Sequence, residues 1–453
     1  MIQNNSINTK KHPYLKEILI IGIPVTLQNI FQASYSFVDQ LMVGSLGTIS
    51  IAGSGLGGKF SGLVTFTIGG IAAVASILIS QYHGTNDKKG ISKSFLSCLL
   101  LSLLIMACFA LPSFFIPEKI MGIYTNDQIV INASSAYLKI IAISFFPMTV
   151  TMLVSSLFRS IEKSKYPMYI SVIAIFTNII FNYIFIFGKL GFPALGLAGA
   201  ALGTLVARSV EAVLLIIIYF SLKRKGILSI YLPKNLDLKF YKKIMLIALP
   251  ILLNEFSWSV GENIYAAIYG RLGTTALAAM SLTNPLQGMF IGMFTGLSSA
   301  AVVLVGKRLG QNQNEDAYSI SKYLIKFGFV GSLVISFILI GLSSIYVTWF
   351  NIEPEVARTT IYIIYALAAV LFAKILNMIL GGGIIRSGGN THYTLITDLI
   401  GTWIFGVPLG LLTAFVFHLP IYWVYFILSL EEVVRLMMGF YIFRKKKWMR
   451  NIT

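Results

Sequence analysis

Seven carboxylates and four basic side chains fall inside stretches of this sequence that are otherwise almost wholly apolar, and its chemistry must lie among them. The acids are Asp39, Glu211, Glu255, Glu262, Asp398, Glu431 and Glu432; the bases are Lys59, Arg208, Lys374 and Arg435. An ionisable group in such surroundings costs about 3 kcal/mol or more, so each needs a reason. Arg208 and Glu211 stand three apart, and Arg435 follows Glu431 by four and Glu432 by three, spacings that make ion pairs on one helical face. Asp39, Glu255, Glu262 and Asp398 have no base at such a distance. In a cavity, a carboxyl group of this kind can load and release a proton; ionised, it can attract an organic cation or coordinate sodium through oxygen. Alternatively each is paired across helices, with Lys59 for Asp39 and Lys374 for an acid of the second half. Glu255 and Glu262 are two helical turns apart and look out from one face, with Asn254, Trp258 and Asn263 around them. Asn178 and Asn182, four apart, also share a face. Each amide donates and accepts, and two bare amides in lipid would be costly, so they line a cavity or tie two helices together.

Other chemistries find little support. Cys98 and Cys108 sit in one apolar stretch and read as packing residues. His12, His83, His392 and His418 fall at or near loops, with no zinc-type cluster and no nucleophile–base pairing. The expectation is a protein that is not an enzyme and carries no cofactor beyond H+ or Na+ as a coupling ion.

The elements that must position these residues are membrane spans. Of 453 residues, 56% are hydrophobic and only 11% charged. Residues 94–117, 166–188, 274–306 and 327–351 contain no Lys, Arg, Asp or Glu and exceed the ~20 apolar residues that cross a bilayer. Twelve spans are predicted, centred near residues 30, 65, 105, 145, 177, 209, 256, 290, 333, 369, 404 and 432. The fold class is all-α integral membrane. The first apolar segment lacks a small-residue cleavage site, so a span is expected there instead of a signal peptide.

A net charge of +18 could suggest nucleic acid, but its placement argues for a membrane. Most of the 35 Lys and Arg fall in 10–16, 88–93, 159–165, 223–243, 307–326, 444–450 and at Arg386, all on one side if the spans alternate. The opposite connections hold only Lys119, Lys139, Lys189, Arg271 and Arg358. By the positive-inside rule both termini are then cytoplasmic.

The chain is also written twice. Pro24 and Gly44-Ser45-Leu46-Gly47 return 226 positions later as Pro250 and Gly270-Arg271-Leu272-Gly273. Arg159-Ser160 returns as Arg386-Ser387 and Arg208 as Arg435, both at an offset of 227. The boundaries expected are 1–225 for a first six-helix lobe, 226–240 for a charged cytoplasmic linker and 241–453 for a second lobe. With an even number of spans each, the lobes should be related by a pseudo-twofold axis along the membrane normal. Gly53, Gly55, Gly57, Gly58, Gly196, Gly199 and Gly203 suit close helix packing, and the two prolines should bend the first helix of each lobe. What breaks the repeat is chemical: Asp39 corresponds to Tyr265, Asn178 to Phe405 and Asn182 to Leu409, while Glu255, Glu262 and Asp398 correspond to Asn29, Ser36 and Ser171.

Several of these features together resemble the multidrug and toxic compound extrusion (MATE) transporters. Pro24-x14-Asp39-x4-Gly44-x-Leu46-Gly47 looks like the family's first helix, and Arg159, Asn178-x3-Asn182 and Ile186-Phe187-Gly188 its fourth-to-fifth helix region. Gly199-Ala200-Ala201-x2-Thr204 resembles the start of its sixth helix, and Arg386-Ser387-Gly388-Gly389-Asn390 with Trp403-x4-Pro408 the matching part of its second half. The resemblance covers nearly the whole chain. It implies a multi-pass protein of a bacterial-type plasma membrane, acting as a monomer, that exchanges H+ or Na+ for organic, usually cationic compounds. It also implies a coupling site at Asp39, Asn178, Asn182 and Thr204, with sodium at Asp39 and Asn178 if sodium is the ion. In some members the position of Asn182 is acidic; here Asp39 is the only carboxylate of that set.

The expected cargo is a small, lipophilic organic cation, held in a cavity between the lobes by Glu255, Glu262, Asp398 and Asn254, with Tyr35, Trp258 and Tyr265 supplying stacking and cation–π contact. The alternative is a flippase of a lipid-linked precursor with the same superfamily architecture. Its phosphate would favour a cavity lined by Arg and Lys, whereas the embedded acids outnumber the bases seven to four.

Overall fold

A computed structural model describes residues 14–226, 238–350 and 352–453, and their side chains except at 33–37, 48, 238, 274 and 277. The expected linker, 226–240, lies mostly outside the described residues. Twelve long helices follow one another: α1 (Leu15–Gly44), α2 (Thr48–Gly84), α3 (Lys88–Phe115), α4 (Gln128–Ser160), α5 (Lys165–Phe187) and α6 (Leu197–Arg224) form the first half. The second half comprises α7 (Leu238–Arg271), α8 (Thr274–Gly310), α9 (Asn314–Thr348), α10 (Pro354–Asn377, continuing as a π-helix over Met378–Ile385), α11 (Thr391–Val416) and α12 (Ile421–Ser429, then Glu431–Arg444). Each contains the centre predicted for it. Ten are long and apolar enough to cross a bilayer on those grounds alone, and α1 and the interrupted α12 complete the set. The protein is a multi-pass, all-α membrane protein of two six-helix lobes.

Local chemistry sets the helix ends. Asp87 and Asp127 accept from the backbone N–H groups of the first turns of α3 and α4, closing donors that have no helical partner. The repeated Gly-x-Leu-Gly turns end at Gly47 and Gly273, with φ of 95° and 111°. Only glycine reaches that region without strain, which explains its return in both halves.

Each lobe has its own apolar core, but the first helix of each lobe is shared. Ile18 and Ile21 of α1 are buried in the core of the second lobe. Ile244, Ile247, Ala248 and Ile251 of α7 are buried in that of the first. Because α1 meets α8 as α7 meets α2, and α2 meets α8 directly, the interface has the twofold character the repeat implies.

The lobes close on each other at the end where α1 begins and α12 finishes. There Lys307 Nζ pairs with Glu162 Oε1 at 2.5 Å, and Arg308 bridges Glu17 at 2.8 Å and Asp316. Gln81 Nε2 donates to the Ser387 carbonyl at 2.8 Å. Gly84 lies against the backbone of Lys307 and Gly310 against that of Gln81, approaches that a Cβ would block.

Candidate functional site

Asp39 is held in the last third of α1 by a polar chain that runs across three helices. Asn182 Nδ2, on α5, donates to Asp39 Oδ1 at 2.6 Å and to Asn178 Oδ1 at 2.8 Å. Asn178 Nδ2 in turn donates to Thr204 Oγ1 of α6 at 3.3 Å. The helical spacing of Asn178 and Asn182 puts both amides on the face that meets α1 and α6, so the four residues expected to act together do meet. Gly203 allows this: with any side chain there, Asn182 Oδ1 and the Asn182 backbone would be displaced. The pairing of Asp39 with Lys59 does not form, since Lys59 is exposed on α2.

The embedded charges of the second lobe answer one another. Arg435 lies 3.3 Å from Glu431, 3.8 Å from Glu432 and 3.8 Å from Asp398. Lys374 Nζ is 3.3 Å from Glu432 Oε1, and Asn377 Nδ2 donates to Glu432 Oε2 at 2.9 Å. Tyr265 donates to Glu431 Oε2 at 2.6 Å, and Asn254 to Asp398 Oδ2 at 2.8 Å. Glu262 interacts electrostatically with Lys374 and Glu432 across the same group. Glu255 stands apart, 3.7 Å from Arg386. Thus Lys374 does take an acid of its own half, and Glu255 and Asp398, which have no base at helical spacing in the sequence, acquire one from another helix. In the first half the local pair expected of Arg208 and Glu211 is replaced. Arg208 Nη1 donates to Ser144 at 2.8 Å, and Glu211 accepts from Ser171 at 2.7 Å, because hydroxyls on α4 and α5 reach these side chains first.

The main cavity, about 710 Å³, opens between α1, α2, α4, α5, α6, α8 and the end of α10. Asn178 and Thr204 form part of its wall, so the Asp39 chain borders it directly. Its charged lining consists of Arg159, Arg208, Arg386 and Glu211. Eight serine and threonine side chains on α2, α4, α5 and α8 contribute hydroxyls: Thr65, Ser76, Thr151, Ser155, Ser156, Ser171, Ser298 and Ser299. Valine, isoleucine and methionine supply the apolar wall, and no described lining residue is aromatic. None of Glu255, Glu262, Asp398, Asn254, Trp258 and Tyr265 lines it. Trp258 instead meets Phe66 of α2 edge-on at 6.5 Å and is 44% exposed, while Tyr265 is buried. The side chain of Tyr35 lies outside the described residues.

The residues that reasoning from the sequence passed over are Arg159 and Arg386, which the repeat marks as a conserved loop feature of both halves. Their recurrence in both halves at an offset of 227 was the available signal, although an arginine at the membrane end of a span ordinarily reaches the interface.

Comparison with known proteins agrees with this architecture. A family model for MatE matches residues 24–184 and 250–436, once in each half. A probable multidrug resistance protein NorM of Photorhabdus laumondii is 27% identical over 406 residues, covering 88% of each chain. A protein of the same name from Halalkalibacterium halodurans is 25% identical over 406 residues, 88% of this chain and 87% of its own. Among solved structures, a MATE in complex with MaD3S superposes with a TM-score of 0.88 at 20% identity, over 97% of this chain and 98% of that one. An outward-facing multidrug resistance MATE family transporter of the MOP superfamily gives 0.86 at 19% identity, over 95% and 96%. With a family match in each lobe and a fold shared over nearly its whole length, this chain belongs to the MATE family of transporters.

Proposed function

We propose that the protein is a secondary exporter of lipophilic organic compounds, drugs and toxins among them, exchanging cargo for a coupling ion by alternating access. The observation that carries this reading is the chain Asp39–Asn182–Asn178–Thr204, one carboxylate tied by amides to three helices at the edge of a drug-sized cavity. The names of the NorM relatives support multidrug resistance as its setting. Ionised, Asp39 draws the amide of Asn182; protonated, it loses the charge that holds that amide. The chain then loosens and α1, which contains Pro24, is freed to move against α5 and α6. Sodium would require oxygens, from Asp39, Asn178, Asn182 and Thr204. Since Asn182 turns its nitrogen to Asp39, the geometry favours a proton as the coupling ion. Cavity and chain are complete within one polypeptide, in keeping with a monomer.

The basic loops support a topology with both termini on the cytoplasmic side of a bacterial-type plasma membrane. The closed terminal end is then the cytoplasmic gate, and this conformation faces outward. The lobe boundary falls in 226–240, with the inner ends of α1 and α7 exchanged between cores. A cationic cargo remains the expectation from the embedded acids. One observation favours the second reading, a flippase of a lipid-linked precursor: three arginines line the cavity against one glutamate. Proteoliposomes loaded with a fluorescent cationic dye, given separately imposed proton and sodium gradients, test the first reading. Gradient-driven dye export that Asp39→Asn abolishes is expected; export by that variant at the wild-type rate would remove Asp39 from the coupling mechanism.

A further inference from the structure

On α4, Thr151, Ser155 and Arg159 are spaced i, i+4 and i+8, so they form one polar stripe along the helix, and all three face the cavity. Thr151 Oγ1 and Ser155 Oγ are buried without a hydrogen-bond partner. The Arg159 guanidinium meets no acceptor among the described residues. Across the cavity, Arg386 offers one Nη to Glu255 at 3.7 Å and leaves its Nε buried and unpartnered. Buried polar groups are ordinarily satisfied, and leaving one bare costs about 1–3 kcal/mol, more for a charged group. Three such buried groups facing one space, with the half-buried Arg159 guanidinium beside them, are an exception that calls for an acceptor. Every one of them can donate, and two are guanidiniums, whose forked N–H groups match the oxygens of phosphate and carboxylate.

Charge balance agrees. Arg208 and Glu211 interact electrostatically although each hydrogen-bonds a serine, and Glu255 is beside Arg386, which leaves Arg159 as the uncompensated charge of the wall. Arg159 and Arg386 are repeat equivalents, so the two donors approach the cavity from opposite lobes. The extension of α10 as a π-helix over Met378–Ile385 carries Arg386 there, packed by Gly382 and Gly383 against Ser298 of α8. The apolar wall of Val25, Ile77, Met148 and Met152 runs on from this polar end.

We infer that the cavity is built for an amphipathic cargo bearing an oxyanion, a phosphate or carboxylate, received by Arg159 and Arg386 with Thr151 and Ser155 completing the cradle. This rests on the reading that the cavity carries cargo, and it names the chemical class of that cargo. Binding to the purified full-length protein in nanodiscs tests it by calorimetry with three probes: geranyl diphosphate, geraniol and inorganic diphosphate. Geranyl diphosphate is expected to bind at least tenfold tighter than geraniol, and Arg159→Gln to remove that advantage while leaving geraniol unchanged. Ser155→Ala, which keeps every charge, is expected to weaken geranyl diphosphate about threefold, within the range of one neutral hydrogen bond. Inorganic diphosphate binding as tightly as the amphiphile would support the same site with a free anion as its source. Equal affinity for geraniol and geranyl diphosphate, or Arg159→Gln and Ser155→Ala both within twofold of wild type, overturns the inference. No gradient is needed for binding, so phosphate-dependent binding without driven dye export would overturn the antiport reading alone, and driven export without phosphate dependence would overturn this one alone.

Discussion

The tightest constraint on the first-lobe site is a residue with no side chain. Gly203 of α6 faces Asn182 of α5, and a methyl group there would meet both Asn182 Oδ1 and the Asn182 backbone nitrogen. The side chain can turn away but the backbone cannot, so Gly203→Ala should rotate the amide and push α5 and α6 slightly apart. Rotation withdraws Nδ2 from Asp39, now 2.6 Å away. A hydrogen bond to a charged group contributes about 1.5–3 kcal/mol, and about 1.4 kcal/mol is a factor of ten. Proton-driven dye efflux from proteoliposomes should therefore fall about 10- to 100-fold, with its dependence on internal pH displaced. Gly199→Ala is the matched control. Its methyl would strike the backbone at Phe185 and Ile186, one turn from the amides, so overpacking of about 1–3 kcal/mol should lower the melting temperature without displacing the pH profile. If Gly203→Ala drives efflux at the wild-type rate with an unchanged pH profile, the Asn182–Asp39 bond has no part in coupling.

Two further substitutions examine the rest of the molecule. Lys374→Met leaves Glu432 buried with one base fewer and should destabilise the protein by about 3–5 kcal/mol, read as a loss of melting temperature in detergent; Glu432→Met on that background should restore much of it. Lys307→Glu sets two carboxylates against each other where the lobes close. Both partners are about a third exposed, so simple neutralisation is worth only about 0–1 kcal/mol. Reversal should nonetheless broaden the spin-label distance distribution between Thr85 and Gln311, and Glu162→Lys should narrow it again.

The sequence announces the spans, their number and the duplication because those depend on local hydropathy and on residues such as Gly47 and Gly273, whose backbone demands no other residue can meet. The Asp39 chain was also legible, since helical spacing aligns Asn178 with Asn182 and the family resemblance supplies Asp39 and Thr204. Charge partnerships were not. Helical spacing pairs Arg208 with Glu211, yet each turns to a serine on a neighbouring helix, Ser144 and Ser171. Asp398 has no base on its own helix, yet Arg435 of α12 reaches it. Counting embedded acids against bases therefore does not describe the cavity wall, where three arginines meet one glutamate. The count ignores which charges neutralise one another out of reach of cargo. The π-helix of α10 fits one feature of the repeat: its offset steps from 226 to 227 between Gly273 and Arg386, and a π turn holds one residue more than an α turn.

The two lobes differ in how their charges are answered, and that difference bears on how transport could work. In the second lobe Arg435 alone contacts three carboxylates and Lys374 takes one of them as well, so every one of those charges already has a partner although acids outnumber bases in the group. In the first lobe Glu211 and an unanswered Arg159 line one space, and Asp39 lies on the chain that borders it. A ligand shifts a conformational equilibrium only by as much as its affinity differs between the two states, so the responsive lobe must be the one whose groups gain or lose partners. Asn178 and Thr204 belong at once to the chain that holds Asp39 and to the wall that meets cargo. Protonation at Asp39 and cargo in the cavity thus act on the same two side chains. By linkage, whatever a proton does to cargo affinity, cargo does to proton affinity in equal measure. On the proposed function no longer route is needed to couple them, because the proposed ion site and the proposed cargo site share a wall.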